Sequence, residues 1–182
     1  MRFLFSSFAL LLTFGLLATE ARADGGQNSD LSACTRLSID YAFYRDHGDA
    51  KSYANLFTED GTLQLVGPPM KGREVIEKEA MGRMAGTVSR HVHTNIRVTL
   101  IDATHAEGVV YLTLYAARGS IANGRPVDMD GPTFVGDYVD TYVKTKDGWR
   151  ISSRKLVPAF ASPAAFAAEA AAKAKAAEKT AP

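Results

Sequence analysis

The stretch from Phe134 to Val157 decides the fold and reads FVGDYVDTYVKTKDGWRISSRKLV. Two runs rich in β-branched and aromatic residues, 134–146 and 149–157, flank the dipeptide Asp147-Gly148. Asp-Gly between two such runs is a strong signal for a two-residue hairpin, because these residues tolerate the positive φ angles that the turn requires. The sequence therefore predicts that these runs form a long antiparallel hairpin.

Two further strands are predicted upstream of the hairpin. Arg90–Ile101 and Glu107–Ala117 are long runs of the same composition. Residues 118–132 form the longest irregular stretch, with Asn123-Gly124, Asp128 and Asp130. A segment of this kind is typical either of a lid or rim over a site or of a plain hairpin extension.

The first predicted helix covers Ser29–Asp46, and Gly48 ends it. One face is polar and the other carries an apolar stripe, which Ile39 and Ala42 widen. Cys34, the single cysteine, lies in that stripe, where a buried and unreactive thiol is expected rather than a nucleophile. The stripe consists of Leu31, Cys34, Leu37, Tyr41 and Tyr44.

The elements between this helix and the sheet are short. Asp49 is suited to cap a second helix that ends at Phe57. After a turn at Asp60-Gly61, the alternating run Thr62–Val66 predicts a strand, and helical spacing returns over Arg73–Ala85. Helices first and an antiparallel sheet afterwards predict an α+β fold, with a curved sheet wrapped around the N-terminal helices.

The two ends of the chain differ from this middle part. Arg2 precedes an apolar run that ends at Leu17, and Ala21-Arg22-Ala23 fits the cleavage site of a secretory signal peptide. The run is short for a transmembrane helix, so cleavage near Ala23 and export to the periplasm or medium are expected, with no membrane attachment of the mature form. The predicted organisation is a signal peptide over 1–23, a linker over 24–30, a domain over 31–161 and an Ala/Lys/Glu-rich tail over 162–182.

The charge balance argues against polyanionic partners. The chain has 21 basic and 20 acidic residues, and without residues 1–23 these numbers become 19 and 19. Nucleic acids and anionic membrane surfaces call for a concentrated basic patch, which this composition does not suggest. Nucleic-acid and membrane partners are therefore not expected, and the oligomeric state is left open, with a homo-oligomer as one option.

Asp46 and His91 are the candidate reactive groups. A carboxylate that orients an imidazole is a common general base at neutral pH. A carboxylate at a helix C-terminus is opposed by the helix dipole, which favours a partner for Asp46. Strict alternation along 91–99 would turn His91 towards solvent, unless the polar face lines a cavity or a β-bulge intervenes. His91 and His93 point the same way, but without a third ligand in motif spacing a metal site is not expected.

The chain resembles the SnoaL-like domains of the nuclear transport factor 2-like superfamily from Leu31 to Phe160. No single motif is specific, and the order and spacing of several carry the resemblance. They are Tyr41-x4-Asp46, Leu56-Phe57-Thr58-Glu59-Asp60-Gly61, Gly72-Arg73-Glu74-x-Ile76, His91-x-His93-Thr94-Asn95 and Asp147-Gly148-Trp149-Arg150-Ile151. The resemblance implies a cone, in which a bent antiparallel sheet surrounds helices and leaves a deep pocket at its open end.

Within the superfamily, the positions of Asp46 and His91 resemble those of the branch of scytalone dehydratase, bile-acid dehydratase and hexachlorocyclohexane dehydrochlorinase. That similarity implies that His91 is the general base, that Asp46 fixes its tautomer and stabilises the imidazolium, and that Tyr41 holds the substrate oxygen. The implied chemistry is a cofactor-free dehydratase-like elimination or isomerisation of a small apolar, oxygenated or cyclic substrate. The expected substrate-contacting residues are His93, Tyr111, Tyr115, Tyr138 and Phe134.

The chain differs from these enzymes at the residue that helps the leaving group of the substrate to depart. Near Phe134 it lacks the second histidine of scytalone dehydratase, and it has Leu112-Thr113-Leu114 where the bile-acid enzyme has an aspartate. Tyr111, Tyr115, Asp137 or Tyr138 could take this role, and alternation along the strands does not choose among them. The alternative function is a non-catalytic exported binder or assembly module with the same fold.

Overall fold

The structure is a computed structural model that describes residues 10–121, 124–167 and 170. Three helices and six strands follow one another along the chain. The helices are α1 (Leu10–His47), α2 (Ala50–Asn55) and α3 (Arg73–Met84). The strands are β1 (Phe57–Gln64), β2 (Met70–Lys71), β3 (Thr87–Leu100), β4 (His105–Arg118), β5 (Phe134–Thr145) and β6 (Gly148–Ala161).

The strands form one curved, open sheet in the order β2-β1-β6-β5-β4-β3. The predicted hairpin is present, with Lys144 opposite Trp149 across the Asp147-Gly148 turn. The sheet is mixed rather than purely antiparallel, because β1 runs parallel to β6 while the other four pairings are antiparallel. The chain therefore forms the predicted α+β fold, with one parallel contact that the sequence did not reveal.

Irregularities in the ladders accompany the curvature. The β5–β6 register shifts between Val135 and Gly136, and again between Thr141 and Tyr142. A Cβ at Gly136 would overlap the carbonyl oxygen of Val157, so only glycine permits this approach of the two strands. Such bulges bend a sheet and let it curve around the helices.

The concave face of the sheet and the stripe of α1 form the core. The predicted α1 residues Cys34, Leu37 and Tyr41 are buried, whereas Ile39 is 47% exposed and does not widen the stripe. Asp49 caps α2 as predicted, accepting a hydrogen bond from the backbone N–H of Ser52 at 2.9 Å. Burial of this apolar surface is the main favourable contribution to folding.

The start of the sheet differs from the prediction. Asp60-Gly61 lies inside β1, which begins at Phe57, and does not form a turn. The register between β1 and β6 shifts between Phe57 and Thr62, so the dipeptide occupies an irregular part of the strand. A Cβ at Gly61 would lie 3.1 Å from both the Cβ of Phe57 and the carbonyl oxygen of Thr58, so glycine relieves crowding in this part of the strand.

Helix α1 is longer than predicted. It starts at Leu10, so residues 24–30 are helical where a linker was expected. The apolar and alanine-rich residues before Asp24 have high helix propensity, and the cost of Gly25-Gly26 does not interrupt the helix. Of the helices in the described ranges, none is both long and apolar enough to cross a membrane. Residues 1–9 lie outside the described residues, and cleavage near Ala23 stays a prediction.

The beginning of the C-terminal tail packs against the rest of the described chain. One helical turn covers 163–167, and Ala165 within it is buried. The backbone N–H of Ser162 donates to the carbonyl of Thr133 at 2.9 Å, and its hydroxyl caps the turn by accepting from the N–H of Ala165. Residues 168–169 and 171–182 lie outside the description.

Candidate active site

Asp46 and His91 are in direct contact. Nδ1 of His91 lies 2.6 Å from Oδ1 of Asp46, and only 6% and 7% of the two side chains are exposed. The carboxylate also accepts a hydrogen bond from the backbone N–H of His91 at 2.7 Å and one from the hydroxyl of Ser89 at 2.8 Å. Three donors therefore fix the carboxylate, and the carboxylate fixes the imidazole.

The end of α1 and the start of β3 bring these residues together. Asp46 lies in the last turn of α1, where the partial negative charge of the helix end disfavours a carboxylate. The donors from Ser89 and His91 compensate this cost. Because Asp46 is ionised at neutral pH and can only accept, Nδ1 of His91 carries the proton, and Nε2 presents a lone pair.

A β-bulge at Asn95 turns both histidines inward. Asn95 has a φ angle of 47°, and the β3–β4 register shifts between Thr94 and Arg97. Before the bulge the inner face of β3 is formed by Ser89, His91 and His93, and after it by Ile96, Val98 and Leu100. The extra residue thus reconciles a polar start of the strand with an apolar continuation on the same face of the sheet.

The electrostatic setting favours a neutral imidazole beside an ionised carboxylate. Burial lowers the pKa of His91 below its usual value, and the hydrogen bond and charge of Asp46 offset this only in part. For Asp46, burial alone would raise the pKa, but the interactions with His91 and Ser89 outweigh it and lower the pKa. At neutral pH the pair is therefore a carboxylate and an unprotonated base.

Tyr41 lies at the centre of an aromatic cluster beneath the histidines. Its ring centroid is 6.1 Å from that of His91, 6.0 Å from His93, 4.7 Å from Tyr53 and 5.4 Å from Tyr138. Tyr41, Tyr53 and Tyr138 are each 1% exposed. Burial, followed by the nearby Tyr41 hydroxyl, holds the pKa of Tyr53 and Tyr138 well above the usual value. These rings therefore form part of the buried core.

Arg154 forms a buried ion pair that the sequence reasoning missed. Its guanidinium donates to Asp140 from two nitrogens, at 2.8 and 2.6 Å, and both side chains are fully buried. Its Cζ lies 4.2 Å from the ring centroid of Tyr41 and 4.7 Å from that of Tyr138. Although burial disfavours the cation, Asp140 outweighs this effect and the pKa of Arg154 is raised. The site therefore contains a permanent positive charge.

His93 is held neutral next to this cation. Its Nδ1 lies 2.9 Å from the carbonyl oxygen of Ser38 and must donate to it, which leaves Nε2 unprotonated. Burial, followed by the charges of Arg154 and His91, lowers the pKa of His93 to about 3. In the described part of the chain, the buried side-chain nitrogens or oxygens without a hydrogen-bond partner are Nε2 of His93 and Nη1 of Arg154.

The other expected substrate-contacting residues separate into two groups. Phe134 is 8% exposed and is the cross-strand partner of Leu114, itself the partner of His91, so it shares their row of the sheet. Tyr111 and Tyr115 are 49% and 38% exposed on the outer face of β4. Their predicted place in the pocket is wrong, because strand alternation directs them away from His91.

Three further observations concern groups and spaces outside the dyad. Burial raises the pKa of the Cys34 thiol to about 12, which makes it a poor nucleophile. Within residues 10–121, 124–167 and 170, no three His, Cys, Asp or Glu residues are placed to hold a metal ion. A cavity of about 540 Å³ lies at the rim of the sheet, between residues 129–133 and 162–165.

A comparison with known proteins matches this chain to a family. A family model described as the SnoaL-like domain matches residues 27–155. No curated protein matches the chain.

Several solved structures share the fold. A Novosphingobium aromaticivorans protein provisionally named a scytalone dehydratase has a TM-score of 0.66 at 21% identity, covering 76% of this chain and 90% of that one. A type 2 hexachlorocyclohexane dehydrochlorinase has a TM-score of 0.65 at 17% identity, with coverages of 77% and 92%. An NTF2-like protein with a cystatin-like fold, also from N. aromaticivorans, has a TM-score of 0.62 at 25% identity, with coverages of 83% and 93%.

Proposed function

Because the chain belongs to the SnoaL-like domain family of the NTF2-like superfamily, we propose that it is a cofactor-free, dehydratase-like lyase or isomerase. Its substrate is a small apolar molecule that is oxygenated or cyclic. The observation that supports this function is the buried contact between Asp46 and His91, which leaves Nε2 of the imidazole as a base at neutral pH.

In the proposed reaction, His91 removes a proton from a carbon next to an electron-withdrawing group. Asp46 keeps the proton on Nδ1 and stabilises the imidazolium that forms, because its carboxylate is already oriented by Ser89 and the backbone of His91. General-base catalysis of this kind contributes roughly 10²–10⁴-fold to a rate. The low exposure of the pair strengthens its electrostatic interaction and excludes competing water.

Tyr41 and Arg154 are the groups that support the negative charge that develops on the substrate. Tyr41 stands edge-on to His91, and the Arg154 guanidinium lies over the Tyr41 ring, with its Cζ 4.2 Å from the ring centroid. A fixed cation in a dry site stabilises an enolate or a departing group more strongly than it would in water. In this proposal Arg154 acts at a distance through the polarised Tyr41, and it is a positioning residue rather than a catalytic one.

The test is turnover and proton exchange with matched variants. The purified protein is incubated in D₂O with hydroxy-ketones, steroids and chlorinated rings, and NMR follows elimination and deuterium incorporation. His91→Ala and Asp46→Asn should each lose at least about 100-fold in rate. His105→Ala and Asp102→Asn are the controls, because they alter a His–Asp pair of 3.0 Å that is more than half exposed.

Two outcomes contradict the proposal. One is the absence of turnover and exchange with every compound in the panel. The other is unchanged activity in both His91→Ala and Asp46→Asn.

A second candidate, a non-catalytic exported binder, is favoured by one observation. Tyr53 and Tyr138 lie beside the Tyr41 hydroxyl, so the space around this hydroxyl is filled by protein rings rather than open to a ligand. Ligand binding that is retained in His91→Ala, without turnover in the parent protein, would support the binder.

Export is proposed for either function. Its basis is the apolar N-terminal run and the Ala21-Arg22-Ala23 pattern. The N-terminal sequence of the protein recovered from the periplasm or medium should begin near Asp24, and an unprocessed N-terminus would contradict export by cleavage.

A further inference from the structure

The rim cavity is formed by three parts of the chain. Ala116 of β4, residues 129–133 and residues 162–165 line its volume of about 540 Å³. Asp130 is the one charged residue among the described residues of this lining. Most of the others are apolar: Ala116, Met129, Pro132, Pro163, Ala164 and Ala165.

One wall of this cavity adjoins the dyad. Ala116 is the cross-strand partner of Ser89, and Ser89 donates its hydroxyl proton to Asp46. Residues directly opposite each other on antiparallel strands have Cβ atoms about 4.5–5.5 Å apart on the same face. The cavity therefore begins one cross-strand contact away from Ser89, whose hydroxyl binds the carboxylate that orients His91.

Hydrogen bonds tie the walls to one another. The Thr133 hydroxyl accepts from the N–H of Ala116 at 3.0 Å and donates to the carbonyl of Ala116 at 3.1 Å. The Thr133 carbonyl accepts from Ser162, which caps the turn over 163–167. Pro163 suits the first position of that turn, because its missing N–H is not needed there. The C-terminal turn is thus a fixed wall of the cavity.

We propose that this cavity binds an uncharged, largely apolar small molecule and that the C-terminal turn is part of the binding site. The volume lies within the roughly 300–1,000 Å³ that is usual for ligand sites, and the lining is mainly apolar. Asp130 disfavours anionic ligands, since it would face them at the rim. That the ligand is the substrate of the dyad rests on the proposed function.

The first test measures binding of the neutral probe 2-naphthol by isothermal titration calorimetry. Ala164→Trp narrows the cavity from the turn and Ala116→Phe narrows it from the sheet, and each should weaken binding at least about 10-fold if it fills the volume. Ala167→Trp is the control, because Ala167 is exposed on the same turn and does not line the cavity. The anion 2-naphthoate should bind at least about 10-fold more weakly than 2-naphthol, and Asp130→Asn should narrow this difference.

The possible results distinguish a ligand site in the cavity from binding elsewhere or no binding. Weaker binding in either filling variant, with Ala167→Trp unchanged, supports the site. Unaltered binding in both filling variants, an equal loss in Ala167→Trp, or no saturable binding of 2-naphthol to the parent protein at millimolar concentration overturns it.

A second measurement connects the cavity to the dyad. Diethyl pyrocarbonate modifies unprotonated imidazoles, and peptide mass spectrometry reports the modification of His91 separately from that of His105. Bound 2-naphthol should slow the modification of His91 and leave that of His105 unaffected. Equal rates of His91 modification with and without 2-naphthol would contradict the proximity of the cavity to the dyad. Because this assay needs no turnover, an inactive protein that still shows protection refutes the proposed catalysis and leaves the binding site standing.

Discussion

The contact between Asp46 and His91 makes a quantitative prediction about the basicity of the imidazole. Asp46→Asn keeps the shape of the side chain and removes its charge. The carboxylate lies 2.6 Å from Nδ1, and both side chains are less than a tenth exposed. At an effective dielectric constant of about 20, opposite charges roughly 4 Å apart attract by about 4 kcal/mol, and nearby opposite charges shift pKa values by about 1–3 units.

The variant should therefore lower the pKa of His91. Burial already holds this pKa below its usual value, and Asp46 is the main group that opposes the effect. Removal of the charge leaves the effect of burial unopposed, so we expect a further decrease in the pKa of His91. Loss of the charge-assisted bonds from His91 and Ser89 should also lower the free energy of unfolding by about 2–4 kcal/mol.

Histidine NMR titration of the Hε1 resonances measures the pKa, and urea unfolding measures the stability. Asp102→Asn is the matched control: it removes a carboxylate 3.0 Å from His105 in an exposed pair and should leave the titration of His91 unchanged. An unchanged or raised pKa of His91 in Asp46→Asn would refute the reasoning, because the carboxylate would then not support the imidazolium.

Three further predictions concern the framework of the site. Asp140→Asn should lower the free energy of unfolding by about 3–5 kcal/mol, because Arg154 would keep its charge in a fully buried position. The control Asp102→Asn, in an exposed pair, should cost less than about 1 kcal/mol in the same urea assay. Because the pKa of His93 is lowered to about 3 in the folded protein, the unfolded chain binds this proton first as the pH falls, and stability should decrease from about pH 6.5 towards pH 3. His93→Phe should flatten this part of the pH–stability curve, measured by thermal unfolding. An unaltered slope would show that other groups cause the decrease. Asn95→Val should destabilise the protein by about 1–3 kcal/mol, since a β-branched residue is strained at a φ angle of 47°. Asn95→Gly should be tolerated. Equal melting temperatures for the two variants would argue against a strained bulge.

Local patterns were sufficient for most of the secondary structure. The Asp147-Gly148 hairpin, the capping of α2 by Asp49 and the buried stripe of α1 all depend on residues close in sequence, where turn chemistry and helical spacing act. The Asp60-Gly61 turn was wrong for the same reason, because the dipeptide suits a turn and an irregular strand equally well. The parallel pairing of β1 with β6 depends on chain segments about 90 residues apart, which no local pattern encodes.

The candidate site depended on tertiary structure to a greater degree. Alternation did not choose among the strand tyrosines and left His91 undecided, because a strand pattern identifies two faces without telling which one is covered. The bulge at Asn95 settled the orientation of His91 and His93. Asp140 and Arg154 were not paired from the sequence, because the register shift between Thr141 and Tyr142 displaces the hairpin alignment by one residue.

The sequence by itself determined the α+β class, the elements and, through the resemblance to SnoaL-like domains, the two residues Asp46 and His91. Only the tertiary structure decided that the two touch, that they are buried and that a neutral His93 and a charged Arg154 lie beneath them. The physical reason is that hydrogen-bonding propensity and apolar periodicity are properties of short segments. Burial and pKa depend on which distant segments surround a group, and here the bulges of β3 and β5–β6 and the packing of α1 against the sheet set those surroundings.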